Sequence, residues 1–163
     1  MLTLAEFNER TGEVRPLLAG CCSAARWADA VLAGRPYLTV GELLTASDAA
    51  VSMLARDDLL EALEGHPRIG EKPEQGGWSA SEQAKVSEAD AVLTRGLAEG
   101  NAAYEEKFGH IYLVCASGRS GAELLELLYG RLGNEPDDEW EVVAGELAKI
   151  NRIRLGKLVP ESW

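Results

Sequence analysis

The chain carries a histidine directly before a proline, His66-Pro67, at the mouth of a stretch that holds two prolines and four glycines, GHPRIGEKPEQGGW over 65–78. A residue before proline is driven to extended dihedrals, so the imidazole is presented from a rigid elbow. Histidine is also the side chain best suited to exchange a proton near neutral pH. Taken alone, His66 reads more readily as a surface histidine in a turn. Where the same stretch ends, Ser79-x-x-Glu82-Gln83 begins. Serine followed three residues later by glutamate is a capping box, a common way to start a helix. A helix start also offers unpaired N–H groups and partial positive charge, which can seat an anionic group. The cap and the site are both open readings for Ser79, Glu82 and Gln83, and they can hold together.

A third candidate is the segment Tyr112 to Ala116. Its neighbourhood, HIYLVCAS over 110–117, interrupts an otherwise helical pattern with residues that favour extended backbone. No second strand is evident to pair with it, so its N–H and C=O groups need partners elsewhere. Either it is a buried core strand, or its backbone lines a pocket. In the second case it can hydrogen-bond a planar heterocycle bearing carbonyl and ureido functions. Arg119, near a helix start, could attract a carboxylate but reads more readily as a solvated cap residue. His110 is expected to pack or face solvent, and Cys115 to belong to a packed wall with no partner that lowers its pKa.

The elements that must position these groups are helical. Apolar positions recur at helical spacing in 21–33, 46–64, 79–100 and from Pro136 to the end, where Trp140, Val143, Leu147 and Ile150 form a core stripe. Capping boxes are expected at Thr39-x-x-Glu42 and Ser120-x-x-Glu123, and helix stops at Gly34, Gly65 and about Gly100. The acidic run Glu135 to Glu141 reads as a solvated helix start that complements the macrodipole. The expected fold is all-α, a single compact domain over 1–163 with seven or eight helices and one extended segment lining the pocket. The stretch 65–78 is longer than most connections in a compact domain, and such loops often carry function.

Composition narrows the chemistry. The 163 residues hold 16 Lys plus Arg against 27 Asp plus Glu, a net charge of -11. Such a surface repels phosphate backbones and anionic lipid, so neither nucleic acid nor membrane is an expected partner. No apolar run approaches the roughly 20 residues of a spanning helix. Met1 to Arg10 has no basic region followed by an apolar one, so no signal peptide is expected. Cysteines at 21, 22 and 115 do not make a disulfide framework, which suits a reducing, cytoplasmic location. Two histidines and no C-x-x-C leave no expected metal site. No dinucleotide or phosphate loop is present, so no nucleotide cofactor is expected.

In fixed order along the chain stand Trp27, Arg35-Pro36-Tyr37, His66-Pro67-Arg68-Ile69-Gly70 and Ser79-x-x-Glu82-Gln83. Asn101-x-x-Tyr104-x-x-Lys107-Phe108-Gly109, Cys115-Ala116-Ser117-Gly118-Arg119-Ser120 and Arg154-Leu155 follow. This ordered set resembles the decarboxylases of 2-oxo-4-hydroxy-4-carboxy-5-ureidoimidazoline (OHCU), and it covers nearly the whole chain. The resemblance implies an all-α, cofactor-free, usually dimeric enzyme. Such an enzyme converts OHCU to (S)-allantoin and carbon dioxide at the end of urate breakdown. It implies that His66 is the catalytic acid, with Pro67 beside the substrate. Glu82 would orient the imidazole or bind the substrate hydroxyl and ureido group. Ser79, Ala80, Ser81 and Gln83 would complete the substrate-binding turn, and Tyr112, Leu113, Val114, Cys115 and Ala116 the substrate-lining segment. Two motifs depart from the family pattern: Arg35-Pro36-Tyr37 stands where R-P-F is usual, and Phe108-Gly109-His110-Ile111-Tyr112 where F-G-F-x-F is usual. Two other functions would use the same residues. One is a non-catalytic helical interaction module; the other is a different His-dependent enzyme acting on a ureido compound.

Overall fold

The computed structural model describes residues 1–70 and 91–162. Among them are eight α-helices and no strand. They are α1 (Leu4–Glu9), α2 (Val14–Cys21), α3 (Ala25–Ala33), α4 (Val40–Ser52) and α5 (Arg56–Glu64), then α6 (Ala91–Phe108), α7 (Gly121–Leu132) and α8 (Pro136–Leu158). The expected all-α class is what the chain adopts. None of the described helices is long and apolar enough to cross a membrane.

The contacts gather into two units. One takes Met1–Gly65 and the chain from Leu147 onward; the other spans His66–Glu146. In the first, Phe7, Val14, Leu18, Trp27, Val31, Leu43 and Leu155 are fully buried. The Trp27 indole donates to Ser47 Oγ at 3.2 Å, which satisfies its one polar atom inside the apolar setting. Arg35 ties the ends of α1 and α3 together: Nη1 donates to the carbonyls of Phe7 and Arg10 at 3.0 and 2.8 Å, and Nε to that of Leu32 at 3.2 Å. These are helix C-terminal carbonyls, which lack intrahelical donors and carry partial negative charge. Asn8 and the backbone of Tyr37 exchange two hydrogen bonds of 2.9 Å, and the Tyr37 hydroxyl donates to Val31 O at 2.6 Å.

In the second unit, Ile69, Leu97, Tyr104, Tyr112, Val114, Leu124 and Leu128 form one buried cluster. Helices α6 and α7 pair closely within it. Gly100 permits that approach: a Cβ there would lie 2.5 Å from Leu128 Cδ2. The expected helix end at Gly100 is therefore corrected. This glycine serves a helix–helix contact, and α6 continues to Phe108, where Gly109 turns the chain at φ +78°.

Other boundaries also shift. The expected helix over 21–33 begins only at Ala25, because Cys22 to Ala24 run non-helically after α2. The expected helix over 46–64 is redivided, its first part joining the helix that the Thr39 cap opens. Thr39 caps one continuous α4, its Oγ1 accepting from Glu42 N at 3.1 Å, and the break falls at Met53 to Ala55. Ser120 caps α7 as expected, accepting from Glu123 N at 3.1 Å. The start of the helix expected from Ser79 lies outside the described residues.

Candidate active site

His66 follows Gly65, which caps α5, and both His66 and Pro67 are half-buried. The elbow is held from the residues just beyond it. Arg68 grips Glu105 of α6 with a two-pronged pair, Nε to Oε2 at 2.8 Å and Nη2 to Oε1 at 2.6 Å. Four residues earlier on the same helix face, Asn101 Nδ2 donates to Ile69 O at 3.0 Å. Ile69 itself is buried in the apolar cluster. Gly70, at φ +91°, then takes a turn that other residues rarely adopt. The sequence H-P-R-I-G thus reads as a histidine on a proline elbow followed by a charged anchor, a buried anchor and a glycine turn. A cavity of about 340 Å³ lies against this anchor, lined in part by Arg68, Gly70, Asn101 and Glu105.

The segment expected to line a pocket has neither helical nor strand backbone over 111–116, and Tyr112, Leu113, Val114 and Cys115 are buried. Tyr112 and Val114 share the apolar cluster with Ile69, so one core supports both the histidine elbow and this segment. Its backbone is held sparingly. Arg131 Nη1 donates to Leu113 O at 2.6 Å, the His110 ring meets Ile111 O at 3.0 Å, and Arg119 N donates to Ala116 O at 3.1 Å. Among the described residues, the N–H groups of Tyr112, Leu113 and Val114 donate to no protein acceptor. Buried N–H groups left this way are rare, and Tyr112, Leu113 and Val114 are only 2, 3 and 3% exposed. The turn Ser79, Ala80, Ser81, Glu82 and Gln83 lies outside the described residues.

Behind the segment sits a charged network. Glu139 is 0% exposed. Its Oε1 accepts from the Tyr104 hydroxyl at 2.5 Å and from Arg131 Nε at 2.7 Å; its Oε2 accepts from Asn134 Nδ2 at 2.9 Å. The Arg131 guanidinium lies 4.7 Å from the Tyr112 ring centroid. Burial opposes the charge of Arg131, but Glu139 outweighs it and the group is held firmly protonated. Burial pushes the Tyr112 phenol up to about 12, and burial with the bond to Glu139 raises Tyr104 further. The reading of Glu135 to Glu141 as a solvated run is corrected here. Glu135, Asp137, Asp138 and Glu141 are exposed, but Glu139 is fully enclosed. Sequence reasoning missed Arg131 and Glu139. A signal existed: Arg131 continues the buried stripe of Leu124 and Leu128, and Glu139 leads the one through Val143 and Leu147.

The OHCU decarboxylase family model matches residues 9–156. The chain belongs to the OHCU decarboxylase family. It is 35% identical over 145 residues to the uric acid degradation bifunctional protein TTL of Arabidopsis thaliana, covering 85% of this chain but only 45% of that longer protein. To the 2-oxo-4-hydroxy-4-carboxy-5-ureidoimidazoline decarboxylase of Amia calva it is 28% identical over 97% of this chain and 90% of that one. A crystal structure of OHCU decarboxylase in the presence of (S)-allantoin superimposes with a TM-score of 0.75 at 34% identity, covering 88% of this chain and 96% of that one.

Within the family pattern, both departures have local accommodations. The hydroxyl that Tyr37 adds occupies the space a Cβ on Gly34 would fill, and it finds an acceptor in Val31 O. His110, 8% exposed, packs at a tilt 4.3 Å from Trp140 and lies edge-on to Tyr104 at 5.5 Å. Here the imidazole fills an aromatic position, one of the two outcomes expected for it. The motif N-x-x-Y-x-x-K is scaffold. Asn101 pins the elbow, Tyr104 binds Glu139, and Lys107 Nζ donates to Leu132 O and Asn134 O at 2.6 and 2.9 Å.

Proposed function

We propose that this chain is a cofactor-independent carboxy-lyase that converts OHCU to (S)-allantoin and carbon dioxide in urate catabolism. The family match over 9–156, which takes in both the His66 elbow and the 112–116 segment, is the observation that carries the reading. Breaking the carbon–carboxylate bond releases carbon dioxide and leaves an electron pair on the ring carbon. The substrate's conjugated imine delocalises that pair, so the protein's task is orientation, exclusion of water and delivery of one proton to one face. His66 delivers that proton and so sets the (S) configuration. Glu82 orients the imidazole or binds the hydroxyl and ureido group. Pro67, Ser79, Ala80, Ser81 and Gln83 complete the binding turn. The backbone of Tyr112, Leu113, Val114, Cys115 and Ala116 meets the substrate's ring oxygens; three unpartnered N–H groups in that stretch support the assignment.

The test is turnover of freshly generated OHCU, followed as the circular dichroism of (S)-allantoin. Wild type is expected to exceed the spontaneous decay, and His66→Asn to lose about 10²–10⁴ in rate with its helical signal intact. Near-normal turnover by His66→Asn removes the histidine from this role. The same reading takes residues 1–163 as one domain that works as a homodimer in the cytoplasm, and the three buried cysteines, Cys21, Cys22 and Cys115, suit a reducing compartment. Sedimentation of the purified chain checks the dimer.

A further inference from the structure

We propose that Arg131 is a positioning residue that aims the Val114 N–H at an acceptor oxygen, a carbonyl or carboxylate, of the bound substrate. The proposal rests on the reading of 112–116 as the substrate-lining segment. Its geometric basis is one peptide plane. The bond between Leu113 and Val114 is trans, so the Leu113 carbonyl and the Val114 N–H point in opposite directions. Arg131 Nη1 holds that carbonyl at 2.6 Å. The N–H is thereby directed away from Arg131, and it donates to no acceptor among the described residues.

The arginine is itself fixed. Its Nε and Nη2 lie 2.7 and 2.5 Å from Glu139 Oε1, and its flat face is 4.7 Å from the Tyr112 ring. Glu139 is held in turn by Tyr104 and Asn134. A planar guanidinium can span a carboxylate and a carbonyl in one rigid arrangement; an ammonium cannot hold both in the same way. The Leu113 carbonyl faces the guanidinium, on the side of the peptide opposite the Val114 N–H. At this peptide the segment therefore offers a donor, and it selects for an oxygen on the ligand rather than an N–H.

The experiment compares wild type with Arg131→Lys and Tyr104→Phe, measuring kcat and KM separately with OHCU, and the thermal midpoint of each. Arg131→Lys keeps a cation beside Glu139 but loses the clamp. Its KM is expected to rise about tenfold with kcat changed less, the mark of a lost binding contact. Tyr104→Phe disturbs the same carboxylate without touching Leu113, so its midpoint falls while KM stays within about twofold. A lowered midpoint in Arg131→Lys with unchanged KM makes the arginine merely structural and overturns the proposal. Wild type without activity on OHCU overturns the functional reading instead, so the two failures are distinct. Should Arg131→Lys not fold, the wild-type chain still decides: in ¹⁵N-labelled protein saturated with (S)-allantoin, the Val114 amide resonance is expected to shift. A Val114 resonance that does not move overturns the proposal.

Discussion

Arg35 and Arg131 perform the same local task in the two units of the molecule, since each donates to backbone carbonyls left without a partner by regular structure. Their settings differ. Arg35 is half-buried and finds three carbonyls at the ends of α1 and α3, where partial negative charge and nearby water are sufficient. Arg131 is only 7% exposed, and it carries a full counter-charge in Glu139, itself enclosed. Removing a cation from water costs several kcal/mol unless a charge and good hydrogen bonds replace the water. The depth of the site decides how much scaffolding one carbonyl clamp requires. At the half-buried site, an arginine and helix ends serve. At the buried one, an acid, a tyrosine and an asparagine are recruited behind it.

The comparison can be broken by removing each device. Glu139→Ala strands Arg131 in the interior without its carboxylate, and a loss of about 3–5 kcal/mol is expected from urea unfolding. Arg35→Ala lets water reach the carbonyls it leaves, so about 1–3 kcal/mol is expected by the same measurement. An equal or reversed pair of losses ends the argument from depth.

Alkaline pH sharpens it. The Tyr112 phenol is raised by burial to about 12, from an ordinary value of 10.0. A raised acid favours the fold in its neutral form. Its contribution is whole below pH 10 and fades as pH climbs through about 12. Between pH 9 and 11 the chain is expected to lose about 1 kcal/mol through this group. Tyr112→Phe, which cannot ionise, should flatten that part of the profile, and an unchanged slope would reject the assignment. The smallest effect is at Tyr37. Tyr37→Phe removes one hydrogen bond to Val31 O and restores the ring usual in the family, for a loss of about 1 kcal/mol or less.

Much of the helical frame was legible because its signals are local. The Ser120 cap, the Thr39 cap, the stop at Gly65 and the start at Pro136 depend on residues a few positions apart, and the structure has them. The break in helical structure over 111–116 followed from its own residue types. Gly100 was misread as a stop because a glycine that ends a helix and one that admits a neighbouring leucine look alike in one dimension. Glu139 was misread among its acidic neighbours because the residue that buries beside it, Arg131, comes from another helix.

The amino-acid sequence by itself determined the helical class, most of the caps, and the ordered motifs that place the chain among OHCU decarboxylases. These rest on periodicity and on hydrogen bonds that close over three or four residues. Only tertiary structure decided which of several carboxylates would be enclosed, which carbonyl would be clamped, and which N–H groups would be left without a partner. Each of those depends on groups that meet across helices. Burial sets the cost of a charge, and it becomes defined only when the chain has packed.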